Sequence, residues 1–194
     1  MQSSITVEEI NELPPLQFNG EIVMVDNLTI YNKIIANLQK ETILGFDTET
    51  KPAFQKGVTH KVCLLQLSTD TTCYLFRLHK IGFPIELQQI LASPLIVKAG
   101  AATADDIKGL QKLAHFEANN FHDLQKMALK KGITDIALKK MVAIILGYRI
   151  SKRQKLTNWE APEITPSQQI YAATDAWVSK LLYDKLLHLQ PIAQ

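Results

Sequence analysis

Thr42-Ile43-Leu44-Gly45-Phe46-Asp47-Thr48-Glu49 is an apolar run that ends in acid. Thr42 to Phe46 carries no charge and fits a buried strand that ends at Asp47. In an extended chain, side chains two apart point the same way, so Asp47 and Glu49 share a face beside a hydrophobic core. Two carboxylates held together there are unfavourable unless a cation sits between them. Asp-x-Glu is common, however, and taken alone the fragment is more often a strand end followed by polar turn residues.

On the amino-terminal side, Glu21 to Val25 reads as a first strand and Leu28 to Lys40 as an amphipathic helix. On the other side, Lys61 to Ser68 and Thr72 to Phe76 read as the two arms of a hairpin. Alternation follows: helix Pro84 to Ala92, strand Leu95 to Ala99, helix Thr103 to His115 and a short strand Asn120 to His122. Two more helices are expected at Leu124 to Lys131 and Ile136 to Leu146. Strands followed by α/β alternation predict an α/β fold, a mixed sheet flanked by helices. The last helix has the best local signals: Thr165 as N-cap, Pro166 at the first position and Gln168 completing a capping box. Ile170, Ala173, Trp177 and Leu181 mark its expected buried stripe, with Tyr171 and Asp175 on one edge. Residues 1–20 read as a loose leader and residues 21–190 as one domain.

Two further fragments carry acids. Lys98-Ala99-Gly100 precedes Asp105-Asp106 near the start of a helix, where an acid also serves to offset the helix dipole. The two aspartates lie about 100° apart around the axis, so at most one aims at a given site. Ile107 and Leu110 mark the buried face of that helix. In Tyr171-Ala172-Ala173-Thr174-Asp175 the phenol and the carboxylate are one turn apart, and the alanines leave room for another backbone or a substrate.

Taken in order, Phe46-Asp47-Thr48-Glu49, Lys98-x-Gly100 with Asp106 six residues on, and Tyr171-Ala-Ala-Thr-Asp175 resemble the DEDD 3′–5′ exonucleases. The resemblance runs from about Glu21 to Leu187 and is nearest to the Werner-type branch, then ribonuclease D. It implies a ribonuclease H-like (DnaQ-like) fold. Asp47, Glu49, Asp106 and Asp175 match the family's metal ligands, and Tyr171 marks its tyrosine branch. The histidine branch would need His at position 170, which is Ile170. Polymerase proofreading members carry Asn where this chain has Ala102, which points away from them. The implied cofactors are two divalent ions, Mg²⁺ or Mn²⁺, because carboxylates without His or Cys do not favour zinc. The implied reaction removes nucleoside 5′-monophosphates from a 3′ end, with Tyr171 orienting water, and the Werner-type likeness favours DNA over RNA.

The 194 residues are 46% hydrophobic and 21% charged, enough for a real core without disulfides or a structural metal. A net charge of +2 names no partner, but nine of the residues from Leu124 to Lys155 are basic and only Asp135 is acidic. That run could line a phosphate path, though for a lone basic run solvated helix faces are the commoner reading. Lys152, Arg153 and Lys155 are its candidates for gripping phosphates, and Phe54 is a candidate for stacking on a terminal base or for simple packing. Cys63 and Cys73 make no metal-binding or disulfide pattern and are expected as free, half-buried thiols. No secretory signal and no membrane span is recognisable, so a soluble cytoplasmic protein is expected. The rival readings are a 3′–5′ exoribonuclease of ribonuclease D type, a non-catalytic nucleic-acid-binding module on the same fold, and an interaction protein whose carboxylates are surface decoration.

Overall fold

The computed structural model describes residues 2–192 apart from 56, 152 and 155. Helix α1 (Val7–Glu12) precedes strand β1 (Glu21–Val25), helix α2 (Leu28–Leu38) and strands β2 (Ile43–Thr50), β3 (Val62–Ser68) and β4 (Thr72–Arg77). Then come α3 (Leu78–Ile81), α4 (Ile85–Ala92), β5 (Val97–Gly100), α5 (Thr103–Gln111), β6 (Phe121–Asp123) and α6 (Leu124–Lys130). Helix α7 (Leu138–Met141) continues into a π-helical turn, Val142–Leu146, and α8 (Pro166–His188) closes the chain. The single helix expected from Ile136 to Leu146 is thus shorter and irregular. Gly147, with φ of 75°, ends it in the left-handed region where glycine is least strained.

The strands form one mixed sheet in the order β1-β4-β3-β2-β5-β6. The β2–β3 and β3–β4 pairs are antiparallel; β1–β4, β2–β5 and β5–β6 are parallel. Central β3 is buried at every position, as its Val- and Leu-rich run requires. Strand β2 does not stop at Asp47 but runs on to Thr50. Asp47, Thr48 and Glu49 find ladder partners in Gln66, Leu65 and Leu64, so pairing overrides their low strand propensity.

Leu44, Phe46, Leu65 and Leu67 pack on one face of the sheet against α2, α4 and α5. Leu64, Cys73 and Leu75 pack on the other against Ala172, Ala173 and Ala176 of α8. The next turns of α8 bury Val178, Leu182 and Leu186 against α6, α7 and Ala99. Helix α8 is therefore enclosed on most of its circumference. Ile170, Trp177 and Leu181 of the expected stripe are only half-buried, while Ala172, Asp175, Ala176 and Ser179 are buried. A single-stripe reading fails here because the helix meets the sheet, other helices and the amino-terminal segment at once.

That segment is not loose. Helix α1 carries a capping box between Thr6 and Glu9 and packs Ile10, with Ile5, against Ala143. The Phe18 amide donates to Thr174 Oγ1 at 3.0 Å, and the Phe18 ring lies 5.6 Å from that of Trp177. The thiols of Cys63 and Cys73 are free but fully buried rather than half-buried, because β3 and β4 lie under α8. Among the described residues no helix is long and apolar enough to cross a membrane.

Candidate active site

Gly45, Asp47 and Glu49 lie on the α8 face of β2, opposite the core residues Leu44 and Phe46. A Cβ on Gly45 would sit 1.9 Å from the carbonyl oxygen of Ala176, so only glycine lets α8 cross β2 this closely. The residue before Ala176 is Asp175, and the close crossing delivers it to Asp47. One carboxylate oxygen from each of Asp47, Glu49 and Asp175 lies within 4.8 Å of the other two. Donor spacing and type fit a hard divalent cation: oxygen only, with no imidazole, and with the nearby Cys63 thiol pushed up to about 12 by burial.

Asp106 stands apart from these three. Helix α5 packs on the opposite face of the sheet, so Asp106 reaches the β2 end from the far side and accepts a hydrogen bond from the Thr48 hydroxyl. Asp105 points to solvent and pairs with Lys108 at 3.3 Å. Leu110 is buried beneath α5, while Ile107 is only half-buried. The helix begins at Ala102 in a left-handed conformation, φ 56° and ψ 40°, with its amide bonded to Asp123 Oδ1 at 3.1 Å. Lys98 turns away from the acids: its buried ammonium donates to the Ile90 and Ser93 carbonyls at 3.2 and 2.8 Å, and burial pulls its pKa down to about 8.

The acids feel their confinement. Burial first, then the charges of Asp175, Glu49 and Asp106, holds the Asp47 carboxyl well above its ordinary range. Burial also lifts Asp106 to about 6, against the Thr48 hydrogen bond that lowers it. Tyr171 is buried with its ring 6.0 Å from that of Trp159, and its hydroxyl donates to Asp175. Burial and the neighbouring carboxylates push the phenol far above its usual pKa, so it stays a neutral donor. Opposite Asp47 on β3, the fully buried Gln66 amide has no hydrogen-bond partner among the described residues. An unsatisfied amide beside crowded acids fits a site that a polar or cationic occupant completes.

The cavity that opens on the three acids and Tyr171 measures about 320 Å³ and is also lined by Gln125, Lys139 and Ser151. None of these three could be singled out in the sequence. Lys139 belongs to the basic run, but nothing local separates it from Lys140, which pairs with Asp135 at 2.7 Å. Other members of the run are tethers: Lys131 Nζ bonds the Leu189 carbonyl at 2.5 Å and Arg149 Nε that of Leu13 at 2.8 Å. Phe54 is 82% exposed on the segment after β2, so it is not core packing. Arg153 is exposed, while Lys152 and Lys155 lie outside the described residues.

Four likenesses to known proteins bear on this site. The family model described as 3′-5′ exonuclease matches residues 22–189. The mouse (Mus musculus) "Bifunctional 3'-5' exonuclease/ATP-dependent helicase WRN" is 30% identical over 194 residues, covering 95% of this chain but 14% of that protein. The chain thus spans a minor part of that relative. The solved structure of Escherichia coli RNase D, described as an exoribonuclease involved in structured RNA processing, superposes with a TM-score of 0.77 at 22% identity. That match covers 88% of this chain and 45% of the other, and the likeness is one of fold. An EXD2 exonuclease domain soaked in Mn matches at 27% identity and a TM-score of 0.50, covering 87% of this chain and 90% of that one.

Proposed function

Because the chain belongs to the 3′–5′ exonuclease family, we propose that it hydrolyses the last phosphodiester bond of a DNA strand and releases nucleoside 5′-monophosphates. In this reading Asp47, Glu49, Asp106 and Asp175 hold two divalent cations, Mg²⁺ or Mn²⁺, and residues 21–190 are the exonuclease domain. The single observation that carries it is the meeting of three carboxylates, within 4.8 Å of one another, beside a buried tyrosine.

The cations, when bound, supply positive charge opposite the attacking water and the leaving 3′-oxygen. The chain's own groups do the rest. Asp47, Glu49 and Asp175 fix where that charge sits, on a strand and a helix whose crossing is set by Gly45. Asp106, anchored by Thr48 and near enough for its charge to act on Asp47, joins them from helix α5. Tyr171 is too weak an acid to take the proton from water at neutral pH; its neutral hydroxyl orients the water beside the phosphorus. Lys139, on the cavity wall, offsets charge on the phosphate. Phe54 meets the terminal base, and Lys152, Arg153 and Lys155 grip phosphates of the strand. DNA is favoured over RNA by the Werner-type motif pattern. The free, buried Cys63 and Cys73 support work in a reducing, intracellular compartment.

The test is digestion of matched 5′-labelled single-stranded DNA, recessed-duplex DNA and RNA, with Mg²⁺ or Mn²⁺ and with chelator. Shortening of DNA from its 3′ end by single nucleotides, lost in chelator and in Asp47→Ala or Asp175→Ala, is expected. Binding without hydrolysis would leave a non-catalytic module, and faster loss of RNA would reverse the substrate assignment.

A further inference from the structure

Beside the acid cavity lies a second, larger depression of about 540 Å³, and the two share Ile150, Ser151 and Tyr171. Their charges are opposite. The first is lined by three carboxylates, whereas no lining residue of the second is acidic and two, Arg149 and Arg153, are cationic. The amino terminus of α8, with Ser167 exposed on the rim, adds the positive end of a 23-residue helix. Ile150 and Ile170 give the groove an apolar floor.

One wall is the stretch Pro15 to Gln17, outside the segment matched by the family model. It is fastened rather than draped. The Leu16 amide donates to the Arg149 carbonyl at 2.8 Å, and the Arg149 amide to the Pro14 carbonyl at 3.0 Å. Arg149 Nε reaches the Leu13 carbonyl at 2.8 Å, and the Phe18 amide bonds Thr174 Oγ1 at 3.0 Å. The same arginine therefore builds the wall and lines the groove. Its Nε is engaged, and a guanidinium has further N–H donors on its two terminal nitrogens.

We infer that this groove carries the strand upstream of the scissile bond, with Arg149 and Arg153 on its phosphates and Pro15–Gln17 as a wall of the substrate site. The inference rests on the exonuclease reading. A departing 5′-monophosphate brings only the scissile phosphate to the acids; every other phosphate belongs to the upstream strand. A polyanion passing Tyr171 finds two guanidiniums on this side, beyond acids whose charge the bound cations would offset.

The decisive measurement is fluorescence anisotropy of a 5′-fluorescein oligo-dT ten-mer over a series of salt concentrations, with Ca²⁺ replacing Mg²⁺ to keep the strand intact. For single strands each phosphate contact contributes about 0.7 to the slope of log K against log salt. The double variant Arg149→Ala/Arg153→Ala should lose about 1.4 from the wild-type slope, and its Kd should rise at least about tenfold at moderate salt. Arg149→Ala also frees one tether, so Ser167→Glu is the companion: it places a negative charge on the rim at a helix amino terminus that tolerates acid, and should raise Kd about fivefold. If wild-type protein degrades strands in Mg²⁺ while both variants keep wild-type Kd and slope, the groove assignment is wrong and the exonuclease reading stands. If wild-type protein degrades nothing in Mg²⁺, that reading falls and the groove assignment with it.

Discussion

Gly45→Ala is the sharpest test of how the site is assembled. The added methyl would lie 1.9 Å from the Ala176 carbonyl oxygen, 2.8 Å from its carbon and 3.2 Å from Lys180 Cβ. An ordinary carbon–oxygen approach is about 3.3 Å or more, so α8 must retreat by roughly 1.4 Å or the sheet must bow. The obstruction is backbone, which no rotamer change relieves. Overpacking of this kind costs about 1–3 kcal/mol, or roughly 2–12 °C in Tm for a domain this size. The larger effect is on the site, because the retreat separates Asp175 and Tyr171 from Asp47 and Glu49. A misplacement of about 1 Å is enough to lower turnover roughly 100-fold. Thermal melts, Mn²⁺ titration by calorimetry and kcat on a labelled strand would read all three. Gly20→Ala is the control: its Cβ would press on the Thr71 carbonyl oxygen at 2.2 Å, so it should cost stability but not Mn²⁺ affinity. A Gly45→Ala protein that melts, binds Mn²⁺ and turns over like wild type would refute the reasoning.

Other consequences follow from the crowded acids and their surroundings. Asp47→Asn takes a half-buried acid out of a crowd of carboxylates; it should raise the metal-free Tm by several degrees, about 1–2 kcal/mol, and abolish hydrolysis. Asp106 is lifted to about 6, so the metal-free folded state holds an extra proton there between about pH 4 and 6, and Asp47, raised well above its ordinary range, adds to the effect in the same direction. Metal-free stability should therefore be greatest below that window and fall as pH rises through about 6, and a flat pH–Tm profile would contradict it. Cation affinity should rise over the same interval, with proton release measurable by calorimetry in buffers of different ionisation enthalpy. Tyr171→Phe should slow kcat by about 10- to 100-fold with Mn²⁺ affinity kept, since the phenol orients rather than ligates. Ala102→Gly should stabilise by about 1 kcal/mol in denaturant melts, because it relieves a left-handed alanine at the start of α5.

What could be read from the sequence was what backbone geometry makes local. Asp47 and Glu49 share a face because a strand repeats every two residues, and Tyr171 stands one turn before Asp175 because a helix repeats every 3.6. The Thr165–Gln168 capping box starts α8 where the residues alone place it. The alternation after Thr72 was enough for a mixed sheet between helices. Everything that depended on a distant partner was decided by packing. Pairing with Gln66, Leu65 and Leu64 carries β2 past its apolar run, and enclosure from several sides makes α8 buried around most of its girth. The opposite layers of α5 and α8 set Asp106 against Thr48 and away from the other three carboxylates. Lys139 lines the acid cavity while Lys140 pairs with Asp135, a difference of one residue that only the surrounding fold can assign. Side-chain period is a property of the local chain; which face meets which neighbour is a property of contacts between residues far apart in it.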